Sequence, residues 1–379
     1  MLTENISKIA LAIDYDGNGY RQLLPLAMEE PALVNGILAV ASSHHSRWQG
    51  VQDTDSRAYL RASTAALARR FRQPQLISTP TTLASMLILV SFEVFSGSNR
   101  WQTHYNAIHG WVKSRGQDCD LSPFLKAWVC LLDTQYSLNF GKPGISGLEA
   151  WLDEPPDMEQ AGDTIDVLFG CSTKLPRLMR AASELELSQS TGRLSQQEVL
   201  VSAESLQAAI RQTQIQAGSE PSLGVVCQHT SCQLSTLLPI EKEELCRRMV
   251  ATAEIFRHCL HLSVFRVAHG PGVPLSDEMQ LSLRTALDLL PLVPDALGPG
   301  ANLGWCLVII GSELDLIEER NYIRSRWAVL ELLGINNCYN GKRGLEAVWA
   351  QRDRSQGVAM EARRWQDVMQ DRGEMQILI

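Results

Sequence analysis

Apolar residues recur at intervals of three and four along almost the whole chain, and no long run alternates apolar with polar residues. The first pattern is typical of amphipathic or buried α-helices, whereas alternation is typical of half-buried strands. Residues 31–48, 80–97 and 123–140 show the helical interval and begin at a proline, which is favoured in the first turn of a helix. We therefore predict an all-α fold, an irregular bundle of paired amphipathic helices around one large apolar core.

The order of the segments indicates one domain that spans residues 1–379. Two stretches, 144–163 and 216–223, are rich in turn-forming residues and are predicted to be surface loops. A short helix is expected within 165–179. No internal repeat is visible, so a regular helical array is not expected.

The charge balance disfavours nucleic acid as a partner of this chain. Lys and Arg number 34 against 42 Asp and Glu, for a net charge of -8, which repels a phosphate backbone. No stretch approaches the roughly 20 apolar residues of a membrane span, and the opening MLTENISKIALAID does not resemble a secretory signal. We expect a soluble protein without a membrane span, located inside the cell in the cytoplasm or nucleus.

Nine cysteines form no CxxC pair and lie mostly among apolar neighbours, so we expect reduced core residues. The one loose cluster is Cys227-x-His229-x-x-Cys232, with Cys246 further along, and its spacing fits no standard zinc module. An ordinary loop or helix end is favoured for this segment.

No standard catalytic or cofactor motif is present: there is no P-loop, GxGxxG, GxSxG or HExxH. Glu254, His258 and His261 share one helical face at a spacing that a metal would accept. Hydrogen-bonded core histidines are the favoured interpretation. We predict no metal and no cofactor.

Six segments, taken in order, resemble the fungal-specific transcription factor domain, the regulatory domain found downstream of Zn2Cys6 zinc clusters. No single segment is decisive, but together they cover nearly the whole chain. They are YRQLLPLAMEEPALVNGILAVASSHHSRW, LASMLILVSFEVFSGSNRWQTHYNAIHGWV, LFGCSTKLPRLM, TAEIFRHCLHLSVFRV, LEAVWAQRD and RRWQDVMQDRG.

The resemblance implies an all-α domain around an apolar interior, used in the family for regulation, dimerisation and, in some members, sensing of small molecules. It therefore implies a pocket of ligand size, an apolar small molecule as partner and a homodimer. A zinc cluster needs six closely spaced cysteines in a basic segment, and residues 1–118 contain no cysteine. The chain is not expected to read DNA in the family's way.

Several polar residues are candidates for chemistry. His104 belongs to the Trp-x-x-His pattern of the family, which favours a role in orienting helices. His45, His109, Tyr136 and His261 are not explained by that pattern, and each can supply a hydrogen-bond donor or a proton. We predict these four as the catalytic candidates.

Aromatic side chains within otherwise aliphatic helices are candidates for the wall of a ligand cavity, although most such residues are simply core. The predicted ligand-binding residues are Trp101, His104, Trp111, Trp128, Phe256 and Trp305.

Two main functional hypotheses fit the sequence. The first is a free-standing, cofactor-free cyclase or isomerase, such as a pericyclase of Diels–Alder type acting on an apolar fungal terpenoid or polyketide, which needs mainly a shaped pocket and one or two hydrogen bonds. It is favoured by the missing zinc cluster and by a chain that begins at Met1, where the family pattern begins. The second is a ligand-responsive effector or dimerisation domain of a Zn2Cys6 regulator. A pure dimerisation scaffold is a third interpretation, and it predicts no ligand-size pocket.

Overall fold

The computed structural model describes the chain in seven ranges, and most of the described residues are helical. The ranges are 18–115, 120–152, 164–215, 222–224, 239–294, 298–355 and 363–373.

The first half contains eight helices among its described residues. They are α1 Gly19–Met28, α2 Pro31–Gln49, α3 Ser56–Arg70, α4 Pro74–Ile77, α5 Pro80–Phe95, α6 Trp101–Arg115, α7 Pro123–Phe140 and α8 Glu149–Leu152.

The rest of the chain, from residue 164 onwards and called the second half below, carries two short strands. Its elements are β1 Thr164–Asp166, α9 Leu175–Ser190, α10 Gln196–Arg211, β2 Ser222–Gly224, α11 Pro239–His269, α12 Asp277–Leu289, α13 Gly304–Ser312, α14 Ile317–Glu331, α15 Asn336–Ser355 and α16 Trp365–Asp371. Short 3-10 turns precede α13.

The proline starts predicted for three helices are confirmed, and serine caps and a glycine mark further helix ends. Proline occupies the first turn of α2, α5 and α7. The Ser122 hydroxyl accepts the Leu125 N–H, and the Ser276 hydroxyl accepts the Met279 N–H, so each caps its helix. Gly141 ends α7 with a φ of 55°, a conformation that costs glycine little.

The short helix predicted within 165–179 is wrong in its first part. Residues Thr164–Asp166 form β1, which pairs in parallel with β2 so that Ile165 lies opposite Leu223. The Asp166 carboxylate then accepts the Leu168 and Phe169 N–H groups, each at 2.8 Å, and so stabilises a turn rather than a helix. Helix α9 begins only at Leu175.

The two predicted loops are described only in part. Within 144–163 the structure describes 144–152, which include α8, and the remaining residues lie outside the described ranges. Within 216–223 only Ser222 and Leu223 are described, and both belong to β2.

Most buried apolar side chains of the described residues form one contiguous core, as the all-α prediction requires. In the first half, α2 packs on α3 and α5, and α5 packs on α6; in the second, α11 packs on α10, α12 and α13. Trp101, Trp305, Trp327, Trp349 and Phe256 are among the largest fully buried side chains. The all-α fold is therefore confirmed.

Of the helices that the structure describes, none is at once long and apolar enough to cross a lipid bilayer.

Candidate functional site

A cluster of aromatic rings joins α6 to α7. Trp101 stacks on Phe140 with ring centroids 5.3 Å apart, and Tyr105 stacks on Tyr136 at 4.3 Å. Trp101 also meets Tyr136 edge-on at 6.0 Å. The structure thus brings together one predicted ligand-binding residue, Trp101, and one predicted catalytic residue, Tyr136.

Beneath these rings, Asp133 binds three other parts of the chain. Its carboxylate accepts the Tyr105 hydroxyl at 2.6 Å and the Ile145 N–H at 2.8 Å, and it pairs with the Arg180 guanidinium of α9. Arg180 in turn donates to the Ile145 carbonyl at 2.9 Å. We call these four residues the Asp133 junction. Because Asp133 is completely buried, the junction fixes α6, α7, α9 and the segment after α7 to one another.

The chemistry available at the rings is that of neutral phenols. Burial raises the pKa of Tyr105, with Tyr136 adding to the effect, and burial also raises the pKa of Tyr136. Both hydroxyls therefore stay protonated at neutral pH. The Tyr105 hydroxyl is already bound to Asp133, and the half-buried Tyr136 contributes ring contacts.

The other predicted residues of the first half are dispersed. His45 is exposed on α2, while His104 and His109 are half-buried on α6, where burial lowers the pKa of His104. The Trp111 indole donates to the Ile77 carbonyl at 2.7 Å, which ties α6 to α4. Trp128 packs edge-on against Tyr20 at 4.8 Å in a separate aromatic group.

In the second half, Phe256 of α11 stacks on Trp305 of α13 at 6.3 Å, and both are buried in the core. His261 is also buried, and its Nδ1 lies 3.2 Å from the Ser282 hydroxyl of α12. Burial lowers the pKa of His261, opposed by the nearby Glu278 carboxylate. These contacts are those of packed helices. Among described hydrogen bonds and ring contacts, none joins two of the four catalytic candidates.

Glu254, His258 and His261 lie on α11 at a spacing that a metal would accept, but Glu254 is already bound in an ion pair within that helix. Arg257 donates to Glu254 at 2.5 and 2.9 Å and contacts His258 Nε2 at 2.9 Å, while Glu254 also accepts the Ile215 N–H at 2.9 Å. Burial and the Arg257 charge lower the pKa of His258 to about 3. In the described part of the chain no group of three or more His, Cys, Asp or Glu residues is placed to hold a metal ion.

The cysteine cluster at 227–232 lies outside the described residues, as does Cys119. The described cysteines are not joined to one another by disulfide bonds, and most of them are buried. Burial raises the pKa of Cys171 and Cys306, so these thiols are poor nucleophiles.

The second half also contains a charged cleft of about 360 Å³ between α11, α13, α15 and α16, with one side chain from α9. We call it the arginine cleft. Its charged lining residues are Arg266, Arg352, Arg363, Arg364, Glu186, Glu313 and Asp315. None of the ten predicted site residues lines it.

The arginines of the cleft are held in two different ways. Arg266 makes a two-fold pair with the nearly buried Glu313 at 2.8 and 2.6 Å, and Arg364 pairs with the buried Glu186. Burial raises the pKa of Glu186, and the Arg364 charge opposes that shift. These two ion pairs are structural contacts between parts of the chain.

The other two arginines have exposed partners. Arg352 pairs with Asp315 at 3.0 Å and donates to the Ser312 carbonyl, and Arg363 pairs with Asp371 at 2.6 Å. Asp315 is 60% exposed and Asp371 is 62% exposed. What distinguishes Arg352 and Arg363 is therefore the exposure of their partner carboxylates, because the Arg364 side chain, 32% exposed, is about as accessible as theirs.

Sequence reasoning missed this cleft. Its cationic residues come from α11, α15 and the start of α16, so nearly one hundred positions separate the first from the last in the sequence. The pair Arg363-Arg364 beside Trp365 was the only local signal, and two adjacent arginines are usually a solvated surface feature.

Comparison with known proteins gives one finding. The family described as "Fungal specific transcription factor domain" matches residues 3–379. The chain has no significant match among curated proteins, and none among solved structures.

Proposed function

We propose that this chain, which belongs to the fungal specific transcription factor domain family, acts as the regulatory domain of a fungal transcription regulator. The observation that carries the proposal is the match of the family over residues 3–379, together with the all-α fold. We further propose that the chain forms a single domain that responds to a small molecule, and that it works in the nucleus.

The geometry of the catalytic candidates supports regulation over catalysis. His261 contacts Ser282, Tyr136 stacks on Tyr105, and His45 is exposed on a different helix. A cofactor-free cyclase needs its donors to converge on one reacting group. The cyclase therefore stays a prediction from the sequence. Incubation of the protein with apolar terpenoid or polyketide precursors would test it, and a rate above the background reaction would favour it.

A reporter assay tests the regulatory function directly. Residues 1–379 are fused to a heterologous DNA-binding domain, and the expression of a reporter gene is measured in yeast with and without added metabolites. We expect the fusion to change expression by at least about threefold relative to the DNA-binding domain alone, and the change to depend on a metabolite. Equal expression in both strains would contradict the proposal.

A matched variant keeps this assay interpretable. Asp133→Ala removes the centre of the Asp133 junction and is expected to abolish the response by destabilising the fold. Arg284→Gln removes an exposed pair with Glu319 on the surface of α12 and is expected to respond like the unmodified fusion.

The homodimer that the resemblance implies is part of the same proposal. Sedimentation equilibrium over a range of concentrations measures the mass of the species in solution. A monomer at all concentrations would remove dimerisation as a function of this chain without affecting the response to a ligand.

A further inference from the structure

We infer that the arginine cleft binds a small organic anion that has an apolar body, with Arg352 and Arg363 meeting its charged group. The inference names the class of effector for the regulatory domain and in that respect rests on the proposed function. The binding itself does not depend on that function.

The burial of each partner carboxylate decides which arginines a ligand can pair with. Glu186 is buried and Glu313 is nearly buried, and they hold Arg364 and Arg266 firmly, because separating such a pair would leave an uncompensated buried charge. Asp315 and Asp371 are exposed, and an exposed pair contributes about 0 to 1 kcal/mol. An incoming anion can therefore replace these two carboxylates at little cost.

The lining carries four guanidinium groups and three carboxylates. Asp371 and Asp367, which pair with Arg363 and Arg364 from outside the lining, balance the remaining positive charge. An anion would therefore bind by taking the place of an exposed carboxylate rather than through a net positive charge of the cleft. A guanidinium also matches carboxylate geometry through two parallel hydrogen bonds.

Much of the wall of the cleft between its charged groups is aliphatic or aromatic, and it includes the buried Trp365. Apolar lining residues include Leu262, Val267, Ile309, Val348, Trp365 and Val368. The volume of about 360 Å³ lies at the lower end of ligand pockets, which span roughly 300 to 1,000 Å³. A short-chain carboxylate fits this combination of charge, apolar wall and volume.

Calorimetric titration of the full chain tests the inference, with octanoate as the probe and octan-1-ol as its uncharged counterpart. We expect octanoate to bind at least about tenfold more tightly than octan-1-ol. The double variant Arg352→Gln with Arg363→Gln is expected to weaken octanoate binding at least about tenfold and to leave binding of the alcohol unchanged. Arg284→Gln, an exposed arginine outside the cleft, is the matched control and should bind octanoate like the wild type.

A second measurement needs no variant. Raising the salt concentration screens the charged contacts, so it should weaken the binding of octanoate but not that of octan-1-ol. Absence of octanoate binding, equal affinity for acid and alcohol, or wild-type affinity in the double variant would each overturn the inference. Octanoate binding by a protein that fails the reporter assay would support the site while contradicting the proposed function.

Discussion

The Asp133 junction and the arginine cleft are built from the same chemical groups, carboxylates and guanidiniums, but they differ in where the carboxylates lie. At the junction, Asp133 is completely buried and is bound by Tyr105, Ile145 and Arg180. In the cleft, Arg352 and Arg363 are held by carboxylates that are mostly in solvent. Burial of the acid, rather than the presence of an ion pair, therefore separates a structural contact from an available binding group.

Loss of the Asp133 junction is expected to lower the free energy of unfolding the most. Asp133→Ala leaves the Arg180 charge and the Tyr105 hydroxyl buried without their acceptor, so the free energy of unfolding should fall by about 3 to 5 kcal/mol. Urea denaturation followed by circular dichroism measures this change. A loss below about 1 kcal/mol would mean that the buried Asp133 junction contributes no more to stability than an exposed ion pair, which would contradict the distinction based on burial.

A smaller effect on stability is expected from the buried His258 of α11, which lies one turn before the part of that helix that lines the arginine cleft. The pKa of His258 in the folded protein is about 3, lowered from 6.5 by burial and by the charges of Arg257 and His261. The unfolded chain therefore takes up the proton first, and the stability that depends on neutral His258 is lost as the pH falls from about 6.5 towards about 3. Between pH 7 and pH 4.5 this amounts to about 2 to 3 kcal/mol.

Unfolding free energies of the wild type and of His258→Gln at these two pH values test this prediction. The wild type should lose about 2 to 3 kcal/mol more than the variant on acidification. His45→Gln changes an exposed histidine of α2 and is the matched control, expected to lose as much as the wild type. An identical loss in His258→Gln and in the wild type would show that His258 is not the group responsible.

The Tyr105 hydroxyl is expected to contribute only part of the stability that the Asp133 junction provides. Tyr105→Phe removes only the hydroxyl that donates to Asp133 at 2.6 Å and keeps the ring that stacks on Tyr136. Two other partners still bind the carboxylate, so we expect a loss of about 1 to 3 kcal/mol, less than for Asp133→Ala. Tyr136→Phe is the control for the aromatic change, and thermal denaturation compares the two. A larger loss in the control would assign the stability of this region to Tyr136.

Much of the fold was predictable from the sequence because helix periodicity and helix ends are local signals. Prolines at the starts of α2, α5 and α7 and the Ser122 and Ser276 caps mark their helices directly. The strand at Thr164–Asp166 was missed because its partner, Ser222–Gly224, is distant in the sequence. Pairing of that kind leaves no periodic pattern in a segment of three residues.

The candidate site leaves a weaker signal in the sequence, for a physical reason. In the structure Trp305 and Phe256 are stacked core rings and His261 contacts Ser282, and their roles in binding and catalysis stay predictions. The arginines of the cleft look ordinary in the sequence, since convergence from three helices is a property of the tertiary structure. Whether an arginine is accessible depends on the burial of its partner, which no local pattern records.

The exposed ion pair of Arg363 is expected to contribute least to stability. Arg363→Gln removes a guanidinium whose partner, Asp371, is 62% exposed, and water solvates that carboxylate equally well in the variant. The free energy of unfolding should therefore change by less than about 1 kcal/mol. Arg266→Gln provides the contrast within the same cleft, because it leaves the nearly buried Glu313 without its two-fold partner and should cost several-fold more. Urea denaturation of both variants measures the difference, and equal losses would mean that the two arginines are held alike and that Arg363 is no more available to a ligand than Arg266.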